Sequence, residues 1–177
     1  MMRSRCGGRA KFAAGSKAMS ASHPVTPATR YLAEHGVEFT PHLYQYVEHG
    51  GTSESSRQLG LDEHAIVKTL VFETSEKRPL LVLMHGDRKV STKTLARHLG
   101  VRSVQPVTAE RATKLTGYVF GGTSPFGTAT KLPIYAERSI FDLDRIYING
   151  GKRGFLAEMD PSSLRSALEV HLIEAAI

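Results

Sequence analysis

The sequence predicts a single α+β domain, and three observations carry that prediction. The 177 residues fit one domain and can bury a core without staples. The composition, 41% hydrophobic and 23% charged, is that of an ordinary globular chain. Strand-like and helix-like runs are mixed without the regular alternation of strand and long helix that a doubly wound sheet requires. There is no internal repeat, and no apolar run approaches the ~18 residues that span a bilayer, so no membrane association is expected.

The elements follow in chain order. Thr26-Pro27 is a helix cap with proline at the first helical position, and Ala28, Tyr31, Leu32 and His35 recur at helical spacing up to Gly36. Residues 37–46 alternate as a strand, and His49-Gly50-Gly51 is a turn. Ser53 to Leu59 is a short helix closed by Gly60, and Asp62 caps a further turn. Residues 65–72, AIVKTLVF, form the clearest strand, and residues 79–84 form the next, ending at the turn His85-Gly86-Asp87. Ser91 and Thr108 cap helices closed by Gly100 and Gly117. Strands are expected near Tyr118, Ile134 and Ile146 and over residues 155–159. Asp160-Pro161 opens a final helix running to about His171.

The net charge of +6 is concentrated at one end. Arg3, Arg5, Arg9, Lys11 and Lys17 face no acid within the first 18 residues, which leaves +1 for the remainder. Residues 1–22 are therefore expected to be a basic, disordered tail, with residues 23–177 as the domain. A transit peptide, or an over-long start with Met19 as the true first residue, are the other readings of that tail. The only cysteine is Cys6, so no disulfide is expected, and a reducing, cytoplasmic setting follows. The eight histidines show neither a His-Glu-x-x-His motif nor cysteine partners. Neither a metal nor any other cofactor is expected.

Four features are candidates for chemistry. Lys68 stands in a strand whose two faces are both apolar, where an ammonium is costly to bury. Either its stem lies on apolar surface with the amine in water, or it points into a pocket where it binds phosphate or steadies an oxyanion. Residues 120–127, FGGTSPFG, begin like a phosphate loop, but Thr128 and Ala129 stand where Lys and Ser/Thr belong, and Pro125 removes an amide. The same loop does not make a serine-hydrolase elbow, because Phe126 occupies the second glycine position. What remains is either a tight turn or a loop that lets another molecule approach Gly121 and Gly122, with Thr123 and Ser124 as hydrogen-bonding groups. Residues 149–154, NGGKRG, make a hairpin turn whose two cations can also face an anion. Finally, Arg88, Lys89, Lys93, Arg97, Arg102, Arg111, Lys114 and Lys131 oppose only Glu110, a local +7 that suits either a solvated face or a polyanion.

In order, Val67-Lys68-Thr69-Leu70, Gly86-Asp87-Arg88, Thr116-Gly117-Tyr118, residues 121–127, Leu132-Pro133 and residues 150–154 resemble the YbaK family. These are free-standing aminoacyl-tRNA deacylases related to the editing domain of bacterial prolyl-tRNA synthetase. The resemblance covers residues 25–175. It implies a mixed, partly barrel-like sheet surrounded by helices. It also implies that Lys68 is the essential lysine and that Tyr46, Gly121, Gly122, Thr123, Ser124, Pro125, Asn149, Gly150 and Gly151 bind the aminoacyl ester and terminal adenosine. The implied partners are aminoacyl-tRNA and, as a candidate, prolyl-tRNA synthetase. In the Cys-specific branch the substrate's own thiol attacks the ester, with water as the alternative nucleophile. Asn149 and Leu156 depart from that branch, where some members have serine and a small acid. Sister branches act on Ala-, Ser- or Thr-charged tRNA, and a binding module without catalysis is the reading from another class.

Overall fold

The computed structural model describes residues 22–177. Cys6 and the basic stretch expected to be disordered lie outside the described residues, apart from residue 22. Among the described residues eight strands form one mixed sheet, flanked by five α-helices. The helices are α1 (Pro27–Glu34), α2 (Gly51–Leu59), α3 (Thr92–Leu99), α4 (Ala109–Thr116) and α5 (Ser162–Ala167). The strands are β1 (Thr40–Leu43), β2 (Ile66–Thr74), β3 (Pro79–His85), β4 (Val104–Pro106), β5 (Ile134–Glu137), β6 (Ile146–Asn149), β7 (Phe155–Met159) and β8 (Val170–Ile173).

The caps form as their residue types dictate. Thr26 accepts from Thr29 N while Thr29 Oγ1 accepts from Thr26 N, so two buried amides without helical partners at the start of α1 are satisfied. Ser91 and Thr108 cap α3 and α4 through one bond each, their hydroxyls accepting from Thr94 N and Arg111 N. Gly60, Gly100 and Gly117 end their helices at φ near +65 to +79°, a conformation that costs glycine nothing.

The sheet order is β1-β7-β6-β2-β3-β5-β8, with β4 pairing the far end of β2. The pairs β2/β6, β3/β5 and β5/β8 are parallel and the others antiparallel. The mixed sheet surrounded by helices is as expected, and it is open: β1 and β8 end the order without meeting, so it is not a closed barrel.

Alternation along β2 and β3 sends side chains into two cores. Val67, Val71, Leu81 and Leu83 pack with Ala28 and Leu32 of α1, Ala112 of α4 and Leu164 of α5. Phe72, Leu80 and Val82 pack under Leu95 and Ala96 of α3. Both faces of the central strands are thus covered, as their continuous apolar runs require.

Three segments differ from expectation. No strand forms at Tyr118. Residues 118–133 are an irregular loop, held by the Tyr118 hydroxyl donating to the Phe126 carbonyl and by Ala129 N and Thr130 N bonding back to the end of α4. The last helix stops at Ala167, and β8 follows, because Val170 to Ile173 pair with β5. The first strand is limited to Thr40–Leu43, the stretch in register with β7.

Candidate active site

A gap in the hydrogen bonding of β2 creates the site. On one side β2 pairs with β3 throughout. On the other, β6 reaches only Ile66 and Val67, and β4 begins at Phe72. Gly86 N bonds Ile66 O and Thr74 N bonds Arg78 O, a register that turns the amides and carbonyls of residues 67, 69 and 71 away from β3. Val71 O is taken by Val107 N, so the main chain of Thr69 faces the gap. Side chains from both faces of β2 therefore border a cavity of about 330 Å³. Its other walls come from Tyr44 and residues 46–49, from α2 through Thr52, Glu54 and Ser55, from Phe120, Gly121 and Thr123, and from Asn149, Arg153 and Leu156.

Lys68 is half-buried in this cavity, and its Nζ donates to the Arg88 carbonyl at 2.5 Å. Burial pushes its pKa below the ordinary lysine value, while the nearby carboxylates Glu63 and Asp87 pull it back up. The turn after β3 that supplies the Arg88 carbonyl is locked in place. A Cβ on Gly86 would lie 2.5 Å from the Glu63 carbonyl, so only glycine lets the two segments touch. Asp87 bonds His64 Nδ1 at 2.8 Å, and the His64 ring stacks on His85 at 3.7 Å. Burial raises the Asp87 pKa, but the bond and charge of His64 outweigh it and hold the group below the usual carboxylate range. His85 is buried. Its Nδ1 must donate to the His64 carbonyl, and burial lowers its pKa below the ordinary histidine value, which favours a neutral ring whose Nε2 accepts from the Ser139 hydroxyl.

Two further cavity groups carry polarity. Glu54 accepts from Arg57 and Gln58, which hold its pKa at about 2. Thr69 borders the cavity, while its Oγ1 is itself shut off from solvent and has no hydrogen-bond partner among the described residues.

Of the residues anticipated from the sequence, Lys68, Tyr46, Gly121, Thr123 and Asn149 come together around the cavity. Glu48, His49, Arg153 and Leu156 join them. Gly122, Ser124, Pro125, Gly150 and Gly151 do not line it. Ser124 is fully buried, and its hydroxyl accepts from Phe126 N. Pro125 borders a separate, open cleft behind the loop, which Tyr31, Lys131 and His171 also line. Gly122 lies against the Lys152–Arg153 main chain, Gly150 against the Phe155 ring, and Gly151 against Tyr118 and Thr26. These five positions shape the wall rather than form it. The amide of Asn149 is engaged at both ends: Oδ1 accepts from Gly151 N and Lys152 N, and Nδ2 donates one of its two N–H groups to Gly121 O.

Sequence reasoning missed Thr69, Phe120 and the contribution of α2. Thr69 stood in the quoted strand motif, and its position in the gap depends on where β6 and β4 end. The basic span is also less uniform than its count implies. Arg111 is paired with buried Glu73, and Lys114 with Glu110.

The model of the aminoacyl-tRNA editing domain matches residues 48–167, more than half of the chain. EbsC of Enterococcus faecalis, a proposed Cys-tRNA(Pro)/Cys-tRNA(Cys) deacylase, is 28% identical over 142 residues, covering 80% of this chain and 87% of EbsC. The proline–tRNA ligase of Streptococcus equi subsp. zooepidemicus is 31% identical over 97 residues, which are 55% of this chain and 16% of the ligase. The crystal structure of a proposed trans-editing enzyme for prolyl-tRNA synthetase superimposes with a TM-score of 0.76 at 22% identity, covering 87% of this chain and 99% of that one, and so shares the fold. The cavity at the β2 gap lies within the matched residues apart from Tyr44, Tyr46 and Val47, and the chain belongs to the aminoacyl-tRNA editing domain family.

Proposed function

We propose that this protein is a trans-acting deacylase that clears mischarged aminoacyl-tRNA, with Cys-tRNA(Pro) as its first substrate. One observation carries the reading beyond family membership: a half-buried lysine faces a small cavity whose walls are partly apolar and partly hydrogen-bonding. The cytoplasm, where tRNA is charged, is the setting this reading requires.

The chemistry follows from the residues. Ester cleavage develops negative charge on the carbonyl oxygen and then on the departing ribose oxygen. The Lys68 ammonium, partly stripped of water, is placed to offset that charge, and such a contact is worth far more there than in bulk water. Its hydrogen bond to the Arg88 carbonyl fixes its direction before substrate arrives. The attacking group is the substrate's own thiol for a Cys ester. A carbon–sulfur bond forms as the ester carbon–oxygen bond breaks, and the thiol proton passes to the ribose hydroxyl. With water as nucleophile, the products are the free amino acid and the same ribose hydroxyl.

The same reaction on a Ser- or Thr-charged tRNA is the second reading, favoured by the hydroxyl-bearing residues Thr52, Ser55 and Thr123 among those that line the cavity. Timed release from Cys-, Ala-, Ser- and Thr-charged tRNA(Pro) separates the two. Preferential loss of Cys supports thiol attack, and preferential loss of Ser or Thr supports the second reading. No release from any of them, with tRNA binding intact, overturns the deacylase and leaves a binding module.

A further inference from the structure

We propose that Phe120 is a stacking platform for an unpaired base at the 3′ end of the RNA substrate, with Lys152 and Arg153 beside it for the adjoining phosphate. This rests on the deacylase reading, since it assigns the part of the substrate that remains outside the cavity.

Phe120 borders the cavity yet is 60% exposed, and neighbouring Val119 is 57% exposed. Phe120 and Val119 together expose apolar surface at the rim of the cavity, where a bound ligand can cover it. The ring stands at the tip of a tight turn. Gly122 N bonds Val119 O at 2.8 Å, and Gly121 has φ +89°, the geometry that places residue 120 at the apex.

The turn is fixed from three sides. Arg153 Nε donates to Phe120 O at 2.8 Å, and Asn149 Nδ2 donates to Gly121 O at 3.2 Å. Gly121 also rests against Tyr46, where an added Cβ would lie 3.0 Å from the ring. The Phe120 backbone is therefore held in place before anything binds, which lowers the ordering cost of binding. The Arg153 guanidinium sits 4.7 Å from the centroid of the Tyr46 ring, and Lys152 is exposed beside it. An aromatic face with adjacent cations is the combination that holds single-stranded nucleic acid: the ring takes a base and the cations take its phosphate. A protein partner on the same ring would have no use for the cations unless it were acidic.

The test uses an uncharged RNA hairpin of acceptor-stem length with an unpaired 3′ overhang carrying 2-aminopurine, and a blunt hairpin as control. The wild-type protein is expected to quench the fluorophore. Phe120→Ala and Phe120→Leu are expected to lose the quench and weaken overhang binding by about 5- to 100-fold, the range of one lost base–aromatic stack. Phe120→Trp is expected to retain both, and blunt-hairpin binding is expected to be unchanged in all variants. Phe120 is exposed, so the variants should melt with the wild type, which a thermal scan checks. Equal overhang affinity for wild type and Phe120→Ala, or no overhang binding by the wild type, overturns the proposal. Because the RNA is uncharged, loss of the deacylase reading and loss of the platform are separate results.

Discussion

Two glycine-rich loops meet beside Lys68: both use glycine for close packing, and the second also uses it, at Gly121, to shape a turn that faces the cavity. In residues 149–154 glycine permits close packing inside the protein. A Cβ on Gly150 would lie 2.2 Å from Phe155, and one on Gly154 would lie 2.5 Å from the Tyr44 carbonyl. In residues 119–127, Gly121 shapes a turn that faces the cavity, against a Tyr46 ring that also faces it. The first loop is a foundation and the second a working surface. Asn149 joins them, holding its own turn through Oδ1 and the neighbouring turn through Nδ2. A glycine signature in sequence therefore marks where main chains come close, and only structure tells whether the other party is the protein or its ligand.

Substitutions should break this comparison in a definite order. Gly150→Ala overpacks the Phe155 ring and should cost about 1–3 kcal/mol of stability, with activity falling only as the folded fraction falls; urea titration measures the first and specific activity of folded protein the second. Gly121→Ala should cost stability of about 1 kcal/mol from its positive φ, yet deacylation by the folded protein should fall further than that of Gly150→Ala. Equal specific activities would erase the distinction between the loops. Asn149→Asp keeps the acceptor for Gly151 and Lys152 but loses the donor to Gly121. It should melt near the wild type while KM rises several-fold, whereas Asn149→Ala should lose both.

The smallest expected effect lies at the turn behind Lys68. Burial lowers the His85 pKa below its unfolded value near 6.5, so the unfolded chain binds more protons in the window just below that pH. Stability should therefore rise with pH through that window and be lost as pH falls below about 6.5. Melting wild type and His85→Gln between pH 5 and 8 checks the sign. The variant should show a flatter dependence, and an unchanged slope would remove His85 as its source.

Much of this was legible from local chemistry. The caps at Thr26, Ser91 and Thr108, the glycine stops and the strands β2, β3 and β7 depend on neighbouring residues and formed as read. The errors fall where distant partners decide. Residues 170–173 joined the last helix in sequence but pair with β5 in space. The segment at Tyr118 looked like a strand, yet its ring is buried and its hydroxyl is taken by Phe126. Lys68 stood out because an ammonium on an apolar strand needs a reason. Thr69 and Phe120 did not, because one depends on where two other strands stop and the other on a turn pinned by Arg153.

The central claim is that Lys68 supplies charge to ester cleavage. Its most direct test is the single-turnover rate of Cys release from saturating Cys-tRNA(Pro) by wild type and by Lys68→Met, which keeps the stem and removes the ammonium. A fall of about 100-fold or more is expected, the size seen when one oxyanion donor is removed, with tRNA affinity within a few-fold of wild type. Release by Lys68→Met at the wild-type rate would contradict it.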